Sequence, residues 1–127
     1  MTNDLSSGEP NRSVIHIISG DLWGGAEAQM LLQLAAIGRE GYQVTALLFN
    51  TGETQRRYEL AGISAPVAHE NAGFIKLVKS SLAIARQCQP AVIVTHGYKE
   101  TIVGALLSKR LKIPLVTMFH GVREAQS

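Results

Sequence analysis

The sequence predicts a doubly wound parallel α/β domain, with about five strands in the order 3-2-1-4-5 and helices on both faces of the sheet. Three observations support this prediction. Apolar runs rich in β-branched residues alternate with segments of helical periodicity, glycines or prolines separate most of them, and successive strand-helix-strand units imply right-handed crossovers. If the chain reverses direction after the third strand, a crevice lies between the first and fourth strands.

The predicted domain occupies residues 13–127. Residues 1–12 are polar and show neither periodicity nor an apolar run, so we expect a disordered leader without a signal peptide. A chain of 127 residues is long enough for one compact domain with its own core and too short for two of ordinary size.

The strands are predicted from short apolar runs. Four of these runs have the composition of buried parallel strands and lie at residues 14–18, 44–49, 91–95 and 114–119. A weaker run at residues 63–68 contains Pro66, which a central strand excludes. We therefore expect this third strand at the edge of the sheet.

Helices are predicted between the strands, at residues 26–39, 53–60, 72–87 and 101–111. In the first of them, Gln29 and Gln33 mark only a narrow polar stripe, so we expect most of its surface to be covered. The second helix is short, charged and exposed, and the third is amphipathic.

The composition excludes several classes of function. A hydrophobic share of 46% and a charged share of 17% are typical of a globular protein, and a net charge of +2 does not indicate a nucleic-acid partner. The single cysteine, Cys88, has no partner for an internal disulfide, and no apolar run reaches the ~18 residues of a membrane-spanning helix. We therefore expect a cytoplasmic protein whose membrane association is at most peripheral.

Standard catalytic patterns are absent from the sequence. It contains no Gly-x-Ser-x-Gly elbow, no Walker motif and no tightly spaced Gly-x-Gly-x-x-Gly after the first strand. Cys88 has no partner for metal or redox chemistry. We therefore expect neither a metal ion nor a cofactor.

Three loops are expected to converge at the carboxyl edge of the sheet, where open α/β sheets bind their ligands. They span residues 20–27, 96–100 and 120–121. Their side chains can bind anions, donate hydrogen bonds to hydroxyl groups or pack on a sugar ring. These residues are Trp23, Glu27, His96, Tyr98, Lys99 and His120.

Two features of the first strand and its loop are ambiguous. Gly24 and Gly25 open a helix, and they either let a ligand approach the backbone or form only a tight turn. His16 lies within the first strand among valine and isoleucine, so we interpret it as a core or edge histidine rather than a ligand-binding residue.

Three segments together resemble the N-terminal half of a family 4 glycosyltransferase, a retaining enzyme with the two-domain GT-B fold. They are Gly24-Gly25-Ala26-Glu27, the stretch from Pro90 to Gly97, and the stretch from Ile113 to Gly121. The second segment departs from the family pattern at Ala91 and Thr95. The resemblance extends from residue 14 to residue 121 and implies a Rossmann-like domain.

The resemblance implies transfer of a sugar from a nucleotide-sugar donor to a sugar or lipid acceptor, in glycan, polysaccharide or glycolipid synthesis. It implies a catalytic role for His120, near the donor sugar. It implies substrate binding by Gly24, Gly25, His96, Tyr98, Lys99 and Gly121. Members of the family hold the donor mainly with a C-terminal domain that carries a Glu-x7-Glu element. We therefore expect an incomplete, acceptor-side domain that is inactive without a separate donor domain.

Alternatives remain open from the sequence alone. The chain is a fragment, one subunit of a split enzyme that pairs with a donor-domain subunit, or a degenerate remnant. It is alternatively a non-catalytic Rossmann-like binding or interaction module that self-associates through an unfinished sheet edge. A small flavodoxin-like nucleotide-binding enzyme is disfavoured because the phosphate loop is absent. The donor sugar, the acceptor and the linkage are not encoded in any motif of this sequence.

Overall fold

The computed structural model describes residues 10–118. Parallel strands alternate with helices along the chain, because buried β-branched runs and helical segments follow one another in the sequence. The strands are β1 (Ser13–Ile18), β2 (Gln43–Leu48), β3 (Val92–His96) and β4 (Leu115–Met118). The helices are α1 (Gly25–Arg39), α2 (Glu53–Leu60), α3 (Phe74–Cys88) and α4 (Tyr98–Leu111), and a single 3-10 turn spans Glu70–Ala72.

The strands form a four-stranded sheet in the order β2-β1-β3-β4, with every neighbouring pair parallel. Residues Val14 to Ile17 of β1 face Val92 to Thr95 of β3, so the two central strands end at the same level. This arrangement confirms the predicted doubly wound parallel fold. It also confirms that the first and fourth predicted strands are adjacent.

The predicted edge strand at residues 63–68 is not a regular strand. The segment makes two isolated parallel bridges to β2, Thr45 with Ser64 and Leu48 with Val67. The carbonyl oxygen of Pro66 accepts a hydrogen bond from the Leu48 N–H at 2.9 Å, but proline has no N–H to return. The sheet over residues 10–118 therefore has four strands, with this irregular segment beside β2 at the predicted edge.

Each face of the sheet has its own buried cluster. On one face, Ile15, Ile17 and Ile93 pack with residues of α3 and α4 such as Leu77 and Leu107. On the other face, the side chains of β1 and β2 pack with residues of α1 and α2, and this cluster contains Ile18, Leu48, Met30, Leu34 and Tyr58. Burial on both faces explains why the central strands are almost continuously apolar.

Helix α1 is less covered than its composition suggested, so the prediction of a largely covered helix was wrong. Only Met30 and Leu34, one helical turn apart, are buried in this helix, and Leu32 is 66% exposed. Much of the apolar content of α1 is alanine, which raises helix propensity without requiring burial. A narrow stripe therefore anchors the helix to the sheet.

Helix α4 lies close against the sheet at Gly104. A Cβ atom at this position would meet the γ-methyl of Thr95 and lie 3.2 Å from Cδ1 of Leu115. The missing side chain is thus required by packing, not by backbone conformation. This contact holds α4, and with it the loop that precedes it, close to the end of β3.

Among residues 10–118, every helix is too short or too polar to cross a lipid bilayer.

Candidate functional site

The candidate site lies at the carboxyl edge of the sheet, where the loops after β1, β2 and β3 meet. Asn50, after β2, donates hydrogen bonds to the Ser19 carbonyl at 3.0 Å and to Oε2 of Glu70 at 2.7 Å. Lys99, after β3, donates to Oε1 of the same carboxylate at 2.8 Å. Asn50 and Glu70 therefore connect the end of β1, just before the first predicted loop, to the second predicted loop. The third contains His120 and Gly121, which lie outside the described residues.

The turn after β1 needs glycine at position 20. Gly20 has a φ of +73°, and a Cβ atom there would lie 3.2 Å from both the Asn50 oxygen and the Leu48 Cβ. Gly24, by contrast, is extended with a φ of −153°, and a Cβ atom on Gly25 would meet nothing within 4 Å. The sharp turn is therefore made by Gly20, and neither packing nor backbone conformation requires Gly24 or Gly25 to be glycine.

Helix α1 begins at this edge without a side-chain cap. Gly24 is its N-cap residue and no side chain bonds to the free N–H groups of the first turn in the described structure. Exposed N–H groups at the positive end of a helix dipole attract anions. Glu27 lies in the same first turn.

Helix α2 contacts the loop between β1 and α1 and the first turn of α1. Thr54 donates a hydrogen bond to the Leu22 carbonyl at 2.9 Å, and the Tyr58 hydroxyl donates to the Glu27 carbonyl at 3.1 Å. The guanidinium of Arg57 lies 4.8 Å from the centre of the Trp23 ring. Burial raises the pKa of Tyr58 to about 12, so this hydroxyl keeps the proton that it donates.

The cation–π contact with Arg57 holds Trp23 at the margin of the site.

His96 ends β3 and pairs with His16 of β1. Nδ1 of His16 lies 2.9 Å from Nε2 of His96, and the two rings meet edge to edge, with centroids 5.1 Å apart and an interplanar angle of 14°. His16 is only 7% exposed, and burial lowers its pKa from 6.5 to about 4. His16 was predicted to be a core or edge histidine, and the structure places it in the core of a central strand, but sequence reasoning missed its bond to a candidate site residue.

The remaining predicted residues of this loop start helix α4. Tyr98 is 80% exposed. The hydrogen bond between Lys99 and Glu70 raises the pKa of Lys99 and lowers that of Glu70, and the Asn50 amide lowers the Glu70 pKa further. The Lys99 charge is thus already paired with a carboxylate that sequence analysis did not select.

Glu100 is a second acidic residue that sequence analysis missed. Burial raises the pKa of its carboxyl group, and the nearby charges of Glu70 and Asp21 raise it further. The carboxylate packs against Gly97, where φ is +135° and a Cβ atom would collide with Oε1 of Glu100. Glycine before α4 therefore makes room for this buried acid.

The arrangement can bind anions through backbone N–H groups and can bind hydroxyl groups through imidazole and phenol. Within residues 10–118, no three histidine, cysteine, aspartate or glutamate side chains come together as metal ligands do. A cleft of about 530 Å³ lies elsewhere, between the end of α1 and the start of β2, lined by Gly38, Tyr42 and Gly62 among others.

Solved structures share this fold. Acinetobacter baumannii MurG is 18% identical with a TM-score of 0.68, over 85% of this chain and 35% of MurG. Anabaena HepE, in complex with UDP-glucose, is 22% identical with a TM-score of 0.67, over 83% of this chain and 28% of HepE. A glycosyltransferase from Rickettsia africae is 13% identical with a TM-score of 0.73, over 88% of this chain and 30% of the other. The chain thus spans roughly a third of each.

No curated protein sequence matches the chain. The sequence profile of Glycosyltransferase Family 4 matches residues 23–126, which is most of the chain and includes Gly24, Gly25 and the loop after β3. The three solved structures, which share the fold of this chain, are consistent with this match. The chain therefore belongs to glycosyltransferase family 4, as an N-terminal domain with a Rossmann-like fold.

Proposed function

We propose that this domain forms the acceptor-side wall of a glycosyltransferase active site. The reaction is transfer of a sugar from a nucleotide-sugar donor to a sugar or lipid acceptor, in the synthesis of a glycan, polysaccharide or glycolipid. The acceptor lies at the carboxyl edge, between the start of α1 and the end of β3.

The start of α1 is the observation that carries the proposal. No side chain caps its first turn, although Oε1 of Glu27 would lie 3.4 Å from a Cβ atom on Gly24, and nothing in the described fold requires glycine at Gly24 or Gly25. A diphosphate group fits such a helix start because N–H groups and the helix dipole both stabilise negative charge. The absence of two side chains lets the diphosphate approach the backbone.

In the proposed site, side chains around the start of α1 bind the sugars. His96 and Tyr98 offer hydrogen-bonding groups for acceptor hydroxyls, and the indole of Trp23 offers an apolar face for a sugar ring. The family resemblance implies a catalytic role near the donor sugar for His120 and substrate binding for Gly121. Lys99 contributes to anion binding when its bond to Glu70 is exchanged for one to phosphate.

A second domain completes the proposed site. The nucleotide is held mainly by a donor domain, in the same polypeptide or in another chain, so the domain described here does not catalyse transfer alone. HepE, which shares the fold, was crystallised with UDP-glucose and with UDP, and these compounds are therefore suitable first probes. The reaction is proposed to take place in the cytoplasm, which agrees with a chain whose one cysteine has no disulfide partner.

Transfer from radiolabelled nucleotide sugars tests the proposal. The chain is assayed alone and together with a family 4 donor domain encoded in frame or in an adjacent gene. We expect label transfer only with both parts, and a response of Trp23 fluorescence to UDP-glucose. Robust transfer by the chain alone would contradict the requirement for a donor domain.

A non-catalytic interaction module is the second candidate. The specific observation in its favour is the exposure of large apolar side chains on two neighbouring helices, with Ile75 of α3 70% exposed and Ile102 of α4 55% exposed. Sedimentation of the chain separates the two functions. Dimerisation, with no fluorescence response to nucleotide sugars and no transfer in any combination, would favour the interaction module.

A further inference from the structure

The His16–His96 pair joins two strands at a point where the surroundings are apolar. Neighbours of His16 in the sheet register are Ala46 of β2 and Val94 of β3. Val94 lies two residues before His96, so His96 projects from the same face of the sheet as His16. Histidine at position 16 is therefore flanked by apolar side chains and meets an imidazole along the strand direction.

The contact between the rings imposes a definite arrangement of protons. At 2.9 Å, one nitrogen must donate an N–H and the other must accept it with a lone pair. A neutral imidazole carries one N–H only, so the donor and acceptor roles fix the tautomer of both rings. His16 stays neutral because its buried position disfavours the charged form.

We propose that His16 is a positioning residue, which holds the ring of His96 in one orientation and one tautomer by engaging Nε2 of that ring. His96 then meets any other hydrogen-bonding group, including an acceptor hydroxyl, through Nδ1. The step to the acceptor rests on the function proposed above. The fixed tautomer depends only on the geometry of the two rings.

The cost of placing histidine at this position supports the proposal. A buried polar group that lacks a hydrogen bond is destabilising, and leucine or valine would fill the same strand position without that penalty. The bond to His96 satisfies Nδ1 of His16. The edge-to-edge, nearly coplanar arrangement of the two rings lets the same bond restrict rotation of His96 as well as its protonation.

Long-range proton–nitrogen correlation of the histidine rings tests the proposal directly. The 127-residue chain is labelled with ¹⁵N-histidine and studied at about pH 8, where a histidine with the ordinary pKa of about 6.5 is neutral. The two ring nitrogens of His96 should give well-separated shifts, one of pyrrole type and one of pyridine type. A coupling across the hydrogen bond should connect Nε2 of His96 to Nδ1 of His16.

Two variants and a control complete the design. His16→Leu should narrow the separation of the two His96 nitrogen shifts, because the ring loses the contact at Nε2 that selects one tautomer. His16→Asn, whose side-chain amide reaches the place of Nδ1, should restore it. His69→Gln removes an exposed histidine, identifies its signals and should leave those of His96 unchanged.

Averaged His96 shifts in the unmodified chain would overturn the proposal, as would a missing coupling across the bond. Unchanged separation in His16→Leu would also overturn it. None of these measurements uses a sugar or nucleotide. A failed transfer assay therefore contradicts the proposed function and leaves the positioning role intact, whereas averaged shifts contradict the positioning role even if transfer is observed.

Discussion

The γ-methyl of Thr95 occupies the space that a Cβ atom on Gly104 would need. Helix α4 therefore lies against β3 at a distance that only glycine allows. Because α4 begins at Tyr98, this contact in the middle of the helix also fixes the position of the segment that carries His96, Tyr98 and Lys99 relative to the sheet.

Gly104→Ala should destabilise the domain by about 1 kcal/mol, since overpacking costs about 1–3 kcal/mol and the gain in helix propensity returns up to about 1 kcal/mol. Urea unfolding measures the change. Thr95→Ser removes the obstructing methyl but keeps the hydroxyl that contacts Thr101 at 2.9 Å. In that background Gly104→Ala should be neutral or stabilising, and equal effects in both backgrounds would contradict the packing explanation.

Gly25→Ala should lower sugar transfer without lowering the stability of the domain. A Cβ atom meets nothing within 4 Å at Gly25 or at Gly38 of the same helix. Each substitution should therefore leave the free energy of unfolding unchanged or raise it by up to about 1 kcal/mol. In the assay with a donor domain, Gly25→Ala should lower transfer at least about tenfold, equivalent to about 1.4 kcal/mol, because the added methyl blocks close approach of the donor diphosphate.

Gly38→Ala is the matched control and should leave transfer unchanged. Equal activity of the two variants would show that the start of α1 does not contact substrate. Loss of activity in both would point instead to an effect of helix rigidity.

Acidification should destabilise the domain through His16. Its pKa falls from 6.5 to about 4 on folding, so between these values the unfolded chain binds a proton that the folded chain does not. His16 does not lower the free energy of unfolding above pH 6.5, and it lowers this free energy progressively as the pH falls towards 4. The difference between the two pKa values corresponds to about 3 kcal/mol.

His16→Leu lacks this proton uptake and serves as the reference. Unfolding of both proteins is followed by urea titration between about pH 7 and about pH 4. The unmodified chain should lose about 3 kcal/mol more than the variant over this range. Parallel pH dependence of the two proteins would mean that His16 is protonated as readily when folded as when unfolded.

Glu70 should compete with phosphate for Lys99. The pair is partly exposed, and such pairs contribute about 0.2–1 kcal/mol. Glu70→Gln should therefore change stability by less than about 1 kcal/mol and tighten binding of UDP about two- to fivefold at low salt. Titration calorimetry with UDP measures the effect.

Lys99→Met in the Glu70→Gln background should abolish the tighter binding, because the released charge is removed. Lys109→Met changes an exposed lysine in the last turn of α4 and should leave the tighter binding in place. A gain that survives Lys99→Met would have to come from the lost negative charge of Glu70 alone.

The fold could be predicted from local signals. Runs such as residues 14–18 and 91–95 are apolar on both faces, which occurs when helices cover both sides of a parallel sheet. Pro66 marked residues 63–68 as unsuitable for a central strand, and the structure leaves that segment as two bridges. The exposure of α1 was missed, because alanine favours a helix whether or not it is buried.

The partners within the site could not be predicted from the sequence. His16 and His96 are 80 residues apart, and Lys99 and Glu70 are 29 apart. Each residue taken alone has an ordinary local explanation, a core histidine or a solvated lysine. Only the strand register and the loop positions determine which of them meet, and a single sequence does not encode this as a local pattern.

Every α-helix of the described domain has a glycine at its N-cap, and none receives a side-chain cap. At Gly52, Gly73 and Gly97 the φ angles are +150°, +103° and +135°, so other residues are strained there. Gly24 alone has a backbone that any residue adopts. Aspartate at position 24 would gain a few tenths of a kcal/mol as a cap, yet its carboxylate would repel a bound diphosphate. A capping side chain at Gly24 would thus raise stability and oppose the proposed binding of a diphosphate, so heat-tolerant relatives that remain active should keep glycine there.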